Sequence, residues 1–155
     1  MFPGSHIAIQ PDKPALVMAG TGQVQTFAEL DAAANRLSRV LRDAGIQAGD
    51  HVAICMENNP HFLEVLWGCH YAGVVYTAAS SRLTSDELAY IMNDCGAKAF
   101  ITSMYKAEQA AEVRDGTPHV TLRLMIDGTI EGHGSYEDAV AAASSDPLPN
   151  RIAGR

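Results

Sequence analysis

The sequence predicts an α/β fold: a doubly wound, mostly parallel sheet with flanking helices and a small hairpin leading into it. Apolar, β-branched segments of strand length alternate along most of the chain with segments whose apolar residues recur at helical spacing. Residues that start and stop helices lie between the two kinds of segment. Strands that are separated by helices cannot be joined by tight turns, so we expect them to pair in parallel through right-handed crossovers.

The first elements are a hairpin and a long helix. Ala15–Gly20 and the short QVQ segment after Gly22 are typical of two strands joined by a turn. Thr26 and Glu29 have the spacing of a capping box, which predicts a helix from Thr26 to Gly45. Its predicted apolar stripe consists of Leu30, Ala33, Ala34, Leu37, Val40, Leu41 and Ala44, with Arg36, Arg39 and Asp43 on the other side.

The middle of the chain predicts a strand, a helix and a second strand. His51–Met56 has the length and composition of a buried strand. Asn59 as cap and Pro60 as first helical residue predict a helix that ends at Gly73. This helix is apolar on most faces, so we expect it to be covered on more than one side. Val74–Ser80 is predicted to be another buried strand.

The second half continues the alternation as far as a tail that is rich in proline and polar residues. The predicted elements are a helix capped by Thr84 and Glu87 that ends at Gly96, a strand at Ala97–Ser103, a polar helix at Tyr105–Arg114, a strand at Leu122–Asp127, and a short helix capped by Ser135 and Asp138. We therefore expect one domain over residues 1–145 and a linker-like tail over 146–155.

Composition and charge disfavour several functional classes. The 155 residues are 47% hydrophobic and 19% charged, which suits a globular domain with its own core. A net charge of −7 with scattered Lys and Arg disfavours nucleic acid and anionic membranes as partners, and no segment is long enough to span a bilayer. The cysteines (Cys55, Cys69 and Cys95) form no CxxC pair, and no signal peptide is evident, so we expect free thiols and a cytoplasmic location.

Ligands of parallel sheets bind beyond the carboxyl ends of the strands, and the most conspicuous loop there follows Asp127. Gly128, Gly132 and Gly134 lie between a strand and a helix, as in a dinucleotide loop. Their spacing is GxxxGxG rather than GxGxxG, and Glu131 would repel a pyrophosphate. We weigh a phosphate cradle against a flexible surface loop and favour the flexible loop.

Two groups of side chains are candidates for metal or acid–base chemistry. Glu57, His61 and Glu64 lie four and three residues apart, which permits a metal site, although capping and surface roles fit the spacing better. His70 is next to Cys69, but neighbouring residues point to different helix faces, so a packed histidine is favoured over a base for the thiol.

Arg82 is the charged residue in the loop after Val74–Ser80. It could bind an anion, or it could pair with Asp86 or Glu87 at the following helix start, and we favour the pairing. A glycine-rich segment followed by Lys, as in a P-loop, does not occur in the sequence. We assign no catalytic, cofactor-binding or metal-binding residue on this chain.

A series of short phrases resembles a known family. DKPAL, TFAEL, AGDHVAI, ENNP, YAGVV, RLTSDELAY and NDCGAKA occur in this order between Asp12 and Ala99. They resemble the N-terminal region of adenylate-forming (AMP-binding) enzymes, and most closely the fatty-acid and long-chain acyl-CoA synthetases. The resemblance is clear from Pro11 to about Ser103 and looser over the rest of the chain.

The resemblance implies a two-step reaction with ATP, Mg²⁺ and CoA, in which a fatty acid or another carboxylate becomes an acyl-adenylate and then a thioester. It also implies that the phosphate loop with its Lys, and the later catalytic Lys, lie beyond Arg155. The chain alone is therefore expected to be a truncated, inactive portion that binds no cofactor by itself and could self-associate. Two alternatives stay open: a complementing subunit of a split synthetase, or a stand-alone α/β binding or scaffold domain.

Overall fold

The computed structural model of the chain describes residues 2–149. Its elements in chain order are α1 (Gly4–Ile7), β1 (Pro14–Val17), β2 (Val24–Thr26), α2 (Phe27–Asp43), β3 (His51–Cys55), α3 (Phe62–Ala72), β4 (Val75–Ala78), α4 (Ser85–Asp94), β5 (Ala97–Ser103), a 3-10 turn (Met104–Lys106), α5 (Ala107–Val113), β6 (Leu122–Ile126), β7 (Gly134–Ser135) and α6 (Tyr136–Ala142).

A five-stranded sheet, entirely parallel, forms the centre of the fold. Its strand order is β4-β3-β5-β6-β7, and an antiparallel hairpin of β1 and β2 precedes it. The prediction of a parallel α/β sheet with a leading hairpin is therefore confirmed. Two short elements, α1 and β7, were not predicted from the sequence.

Both faces of the sheet are covered by helices, because alternate residues of each buried strand point to opposite faces. On one face Val52 and Ile54 of β3 pack with residues of α2, α3 and α6. On the other face Ala53 of β3 and Phe100 of β5 pack with residues of α4 and α5. The predicted doubly wound arrangement thus has three helices on one face and two on the other.

The capping box predicted for α2 is present. The Thr26 hydroxyl oxygen accepts a hydrogen bond from the Glu29 N–H (3.2 Å), and the Thr26 N–H donates to Glu29 Oε2 (2.8 Å). Gly45 follows the helix in the left-handed region, at φ 85°. The predicted stripe is too long by one member, since Ala44 is exposed, and it missed three buried polar residues, which are Asp31, Asn35 and Ser38.

Loss of this cap should be measurable. We expect Thr26→Ala to lower the free energy of unfolding by about 1 kcal/mol, because the Glu29 N–H loses its acceptor at the first turn of α2. Urea denaturation of the two proteins measures the difference. Thr129→Ala, in the exposed loop after β6, is the matched control and should change stability little. Equal losses in the two variants would contradict the capping role.

β4 is not the buried strand that the sequence predicts. It pairs with β3 alone and forms one edge of the sheet, so its side chains alternate between half-buried and exposed, and Tyr76 is 43% exposed. Its apolar composition reflects one covered face rather than two. The hydrophobic composition of the segment could not indicate whether the strand would lie at the edge or in the middle of the sheet.

Two helices begin later than predicted. α3 begins at Phe62 rather than at Pro60, because Asn59 forms a turn before the helix in which its Oδ1 accepts a hydrogen bond from the His61 N–H (2.9 Å). The predicted helix at Tyr105–Arg114 opens as a 3-10 turn and becomes α-helical at Ala107. As predicted, α3 is contacted on several sides, with Val65 and Cys69 fully buried.

The division into residues 1–145 and 146–155 stays a prediction. Residues 150–155 lie outside the described part of the chain. The first residue of the predicted tail is in contact with the domain, since the carbonyl of Asp146 accepts a hydrogen bond from Arg39 Nη2 of α2 (3.0 Å).

Candidate functional site

The carboxyl ends of β3, β5 and β6 bring together five polar side chains, which we call the carboxyl-edge cluster: Glu57, Asn59, Ser103, Lys106 and Asp127. Asn59 Nδ2 lies 3.0 Å from both Glu57 Oε1 and Asp127 Oδ2 and donates to each. Ser103 donates from its hydroxyl to Glu57 Oε2. Asn59, Ser103 and Lys106 are almost completely buried, so the cluster is built into the fold at the edge where parallel sheets bind ligands.

Two opposing effects determine the charge of Glu57. Burial alone would raise the pKa of its carboxyl group, but hydrogen bonds from Asn59 and Ser103, together with the charge of Lys106, lower the pKa below its ordinary value. Lys106 donates from Nζ to the carbonyl of Ser81 (2.8 Å). Glu57 is therefore a carboxylate at neutral pH, close to a buried cation that the sequence analysis did not single out.

A second group of side chains, the His61–Glu64 pair, lies beside the cluster at the start of α3. His61 Nδ1 is 2.7 Å from Glu64 Oε2, and the Tyr136 hydroxyl donates to the same oxygen (3.2 Å). Gln25 donates from Nε2 to the other carboxylate oxygen. Glu64 is only 6% exposed, and these three donors compensate its burial.

The carboxylate of Glu64 affects the titration of both neighbours. Its hydrogen bond to the ring raises the pKa of His61, burial works against this, and the charges of Glu64, Glu137 and Asp127 raise it further. Burial, followed by the negative charge of Glu64, raises the pKa of Tyr136 well above its usual range. Tyr136 therefore keeps its proton at neutral pH, and its hydroxyl group donates a hydrogen bond to Glu64.

The three residues of the spaced Glu57, His61, Glu64 pattern do not form a metal site. Glu57 is directed to Asn59 and Ser103, whereas His61 and Glu64 bind each other. Within residues 2–149 no cluster of three His, Cys, Asp or Glu side chains is arranged to hold a metal ion. The prediction of capping and surface roles was wrong for Glu64, which is buried. Its carboxylate can be buried because Gln25, His61 and Tyr136 form hydrogen bonds with it.

The glycine loop after β6 lies at the surface, and its own neighbours hold it in place. The Asp127 N–H, in the left-handed region at φ 64°, donates to Glu137 Oε1 (2.8 Å). Arg114 donates from Nη1 to the Glu131 carbonyl (3.2 Å), and a Cβ at Gly132 would lie 2.8 Å from Arg114 Cδ. The Asp127 and Glu137 carboxylates also border the loop, so the geometry does not favour a phosphate cradle.

The predicted ion pair of Arg82 was wrong. The described residues contain no ion pair between Arg82 and either Asp86 or Glu87, because Glu87 Oε2 accepts from the N–H and hydroxyl of Thr84 (2.9 Å each). The Arg82 side chain is exposed at the carboxyl edge. The capping box of α4 was itself predicted from the sequence, and it occupies the Glu87 carboxylate that we had considered as a partner for Arg82.

His70 is a packed histidine, as predicted. Its ring makes an edge contact with Trp67, with the ring centroids 5.3 Å apart. Burial raises the pKa of the neighbouring Cys69 thiol to about 12, so this sulfur is not a nucleophile at neutral pH. The other two cysteines, Cys55 and Cys95, are also free thiols.

The raised pKa of His61 predicts a pH-dependent contribution to stability. A group with a raised folded-state pKa stabilises the fold below its unfolded pKa and loses this contribution as the pH rises through the folded pKa. We expect His61→Gln to be more destabilising at pH 5.5 than at pH 8.5. Thermal unfolding across this range measures it, with His119→Gln, an exposed site, as the control. A difference independent of pH would contradict the ion pair with Glu64.

Comparison with known proteins assigns the chain to a family. The AMP-binding enzyme family matches residues 5–153. The chain belongs to the AMP-binding enzyme family. The structure of a Mycobacterium tuberculosis fatty acyl CoA synthetase superposes with a TM-score of 0.85 and 27% identity, over 97% of this chain and 29% of that one. An anthranilate CoA ligase, AuaEII, superposes over 99% of this chain and 28% of that one, with a TM-score of 0.87 and 18% identity, and so supports the fold.

The curated relatives include a long-chain fatty acid transport protein and a feruloyl-CoA synthase. The chain is 37% identical over 111 residues to human long-chain fatty acid transport protein 1, which is 72% of this chain and 17% of that protein. It is 35% identical over 115 residues to a feruloyl-CoA synthase of Amycolatopsis, which is 74% of this chain and 23% of that protein. The chain thus spans about a fifth of the length of these relatives, and the predicted resemblance is confirmed.

No helix within residues 2–149 combines the length and the hydrophobicity that are needed to cross a membrane.

Proposed function

We propose that this chain is the N-terminal portion of an ATP-dependent fatty-acid–CoA ligase. The observation that carries the proposal is its identity of 37% to a long-chain fatty acid transport protein, together with the superposition on a fatty acyl CoA synthetase. The ligase reaction joins a carboxylate to AMP from ATP and then transfers the acyl group to the thiol of CoA. The chain contributes the parallel sheet and its carboxyl edge, which form one wall of the complete enzyme.

The described residues do not fit an ATP–Mg²⁺ site. Backbone groups of the glycine loop already have partners within the chain. The Asp127 N–H donates a hydrogen bond to Glu137, and the Glu131 carbonyl accepts one from Arg114. The carboxylates of Glu57 and Asp127 at the carboxyl edge would repel phosphates. We therefore propose that phosphate and metal are bound by other parts of the protein, and that the 155-residue chain by itself neither binds cofactor nor catalyses the reaction.

The endogenous polypeptide provides the test. An antibody raised against residues 26–103 captures it in its native form, intact mass spectrometry gives its size, and ATP–pyrophosphate exchange is measured with a long-chain fatty acid. We expect a polypeptide heavier than 16.5 kDa that catalyses exchange, and no exchange by the purified 155-residue chain. Exchange by the isolated chain would overturn the proposed inactivity, and no exchange by the captured polypeptide would overturn the proposed function.

The same capture separates the remaining proposals. A 16.5 kDa chain that copurifies with a second chain and catalyses exchange would indicate a split synthetase, whereas an inactive 16.5 kDa chain would indicate a binding or scaffold domain. The feruloyl-CoA synthase relative favours an aromatic acid as a second candidate substrate, so ferulate is assayed beside the fatty acid. We propose a cytoplasmic location because the cysteines are free thiols, and cell fractionation tests this.

A further inference from the structure

The glycine loop between β6 and β7, residues 127–133, encloses a histidine ring that has no hydrogen-bond partner. We propose that His133 makes this loop a pH-sensitive switch: the neutral ring keeps the loop closed against the sheet, and protonation of the ring opens it. Opening releases Asp127, at the start of the loop, from the carboxyl-edge cluster. The inference does not depend on the proposed function, because every group that carries it lies in the described part of the chain.

The first support is the burial of a ring that forms no hydrogen bond. His133 is 6% exposed, and both of its ring nitrogens are buried without a hydrogen-bond partner. Within residues 2–149 no other histidine has both nitrogens in this state. Burial of an unpaired neutral imidazole is unfavourable, and burial of the imidazolium, which has two donors and a charge, is much more so. The closed loop therefore accommodates the neutral ring only.

The second support is the character of the groups around the ring, which are an aromatic side chain and two arginines. The ring makes an edge contact with Phe100, with the centroids 6.1 Å apart, and Phe100 is the register partner of Arg123 in the sheet. Burial lowers the pKa of His133, and the positive charges of Arg123 and Arg114 lower it further. The nearby Glu131 backbone opposes this effect but forms no hydrogen bond with the ring.

The carboxylates near the loop do not compensate for a charge on the ring. Four of them are bound to other groups: Asp115, Glu131, Asp127 and Glu137. Asp115 and Glu131 each lie 3.3 Å from a guanidinium nitrogen of Arg114, and both side chains are 91% exposed. Water and salt screen such exposed carboxylates, so they offset little of a buried charge. Protonation of His133 therefore adds a third positive group beside Arg114 and Arg123.

The glycine loop is a part of the fold that can open locally. It leads into β7, which has two residues, lies at one edge of the sheet and pairs with β6 alone. Short edge segments open at a lower free energy than central strands. The Asp127 N–H donates to Glu137 Oε1 (2.8 Å), and Asn59 Nδ2 donates to Asp127 Oδ2 (3.0 Å). Opening of the loop thus loosens Asp127 and transmits a change of pH to the carboxyl edge.

The direction of the effect follows from the lowered pKa of His133 in the closed loop. A group of this kind stabilises the closed state fully above its ordinary pKa and loses that contribution as the pH falls. In the open loop the ring has the ordinary histidine pKa of about 6.5. A decrease from pH 7.5 to pH 5.5 should therefore raise the equilibrium constant for opening by up to about tenfold.

Amide hydrogen exchange of the endogenous polypeptide, captured as described above, provides the test. Exchange is measured at pH 7.5 and pH 5.5 and corrected for the intrinsic rate at each pH. We expect protection of residues 127–135 to fall by up to about tenfold at pH 5.5, while β3 and β5 keep theirs. His133→Leu, which has a similar volume and cannot be protonated, should abolish this pH dependence. His119→Gln, at an exposed position, should retain it.

Three outcomes would overturn the inference. Protection of residues 127–135 in the unmodified polypeptide could be the same at both pH values, or it could fall equally in β3 and β5, and neither result fits a local switch. A loss of protection at pH 5.5 that persists in His133→Leu would assign the effect to other groups. The first two outcomes need no variant, so they decide the question even where His133→Leu does not fold.

Discussion

Replacing Gly68 by alanine should destabilise the fold, although alanine is the better helix former. Gly68 lies on α3 where it crosses α2, and a Cβ at this position would lie 2.7 Å from Cδ2 and 2.8 Å from Cβ of Leu37. The higher helix propensity of alanine would add about 1 kcal/mol, but the overlap with a fully buried leucine should cost more. We expect a net loss of about 2 kcal/mol, which thermal unfolding would show as a decrease in Tm of roughly 4–8 °C.

A double mutant distinguishes overlap from other causes. Leu37→Ala alone should cost about 2–5 kcal/mol through the cavity it leaves, and the methyl group introduced by Gly68→Ala would fill part of that cavity. We therefore expect the double mutant to be more stable than the sum of the single effects predicts. Gly20→Ala is the control, since nothing lies within 4 Å of a Cβ there. Additive single effects would contradict the close contact between α2 and α3.

The local signals in the sequence were sufficient for most of the elements, though not for α1 and β7, and they did not determine the positions of the strands in the sheet. Both capping boxes, at Thr26 and Thr84, are satisfied within four residues, so they can be predicted from spacing alone. Which strand becomes the edge depends on contacts between distant segments. The apolar run of β4 was therefore interpreted as buried, although its pairing with β3 alone leaves Tyr76 exposed.

The candidate site was less predictable than the fold, because its partners are far apart in the sequence. Glu64 on an apolar helix resembles a surface residue until Gln25 and Tyr136, 39 and 72 residues away, are brought to it. The burial of Lys106 could not be predicted from the local sequence either, because its hydrogen-bond acceptor, the Ser81 carbonyl, is 25 residues away. The spacing of Glu57, His61 and Glu64 permitted one shared cluster, whereas the fold directs Glu57 to Asn59 and Ser103 and pairs His61 with Glu64.

Asn59 connects two carboxylates of the carboxyl-edge cluster, and we expect Asn59→Asp to destabilise the fold strongly. Its side-chain amide donates at 3.0 Å to Glu57 and to Asp127, and its burial leaves it 5% exposed. The substitution keeps the shape of the side chain but removes both donors and places a third carboxylate against the other two. Because hydrogen bonds to charged groups contribute about 1.5–3 kcal/mol each, we expect a loss of about 3 kcal/mol at pH 7.

The pH dependence of this loss identifies repulsion as its cause. The introduced carboxyl group takes up a proton more readily in the folded state than in the unfolded state, so the variant should recover stability relative to the original chain as the pH falls from 7 towards 4. The original chain loses stability over the lower part of this range, because the lowered pKa of Glu57 stabilises the fold only while the carboxylate is ionised. The difference in free energy of unfolding between the two proteins should therefore shrink as the pH falls, because the variant gains stability and the original chain loses it. Asn93→Asp, at an exposed position that donates to the Gly116 carbonyl, is the control. A gap that stays constant from pH 7 to pH 4 would mean that Asn59 contributes by packing alone, and that the two carboxylates of the cluster do not interact through it.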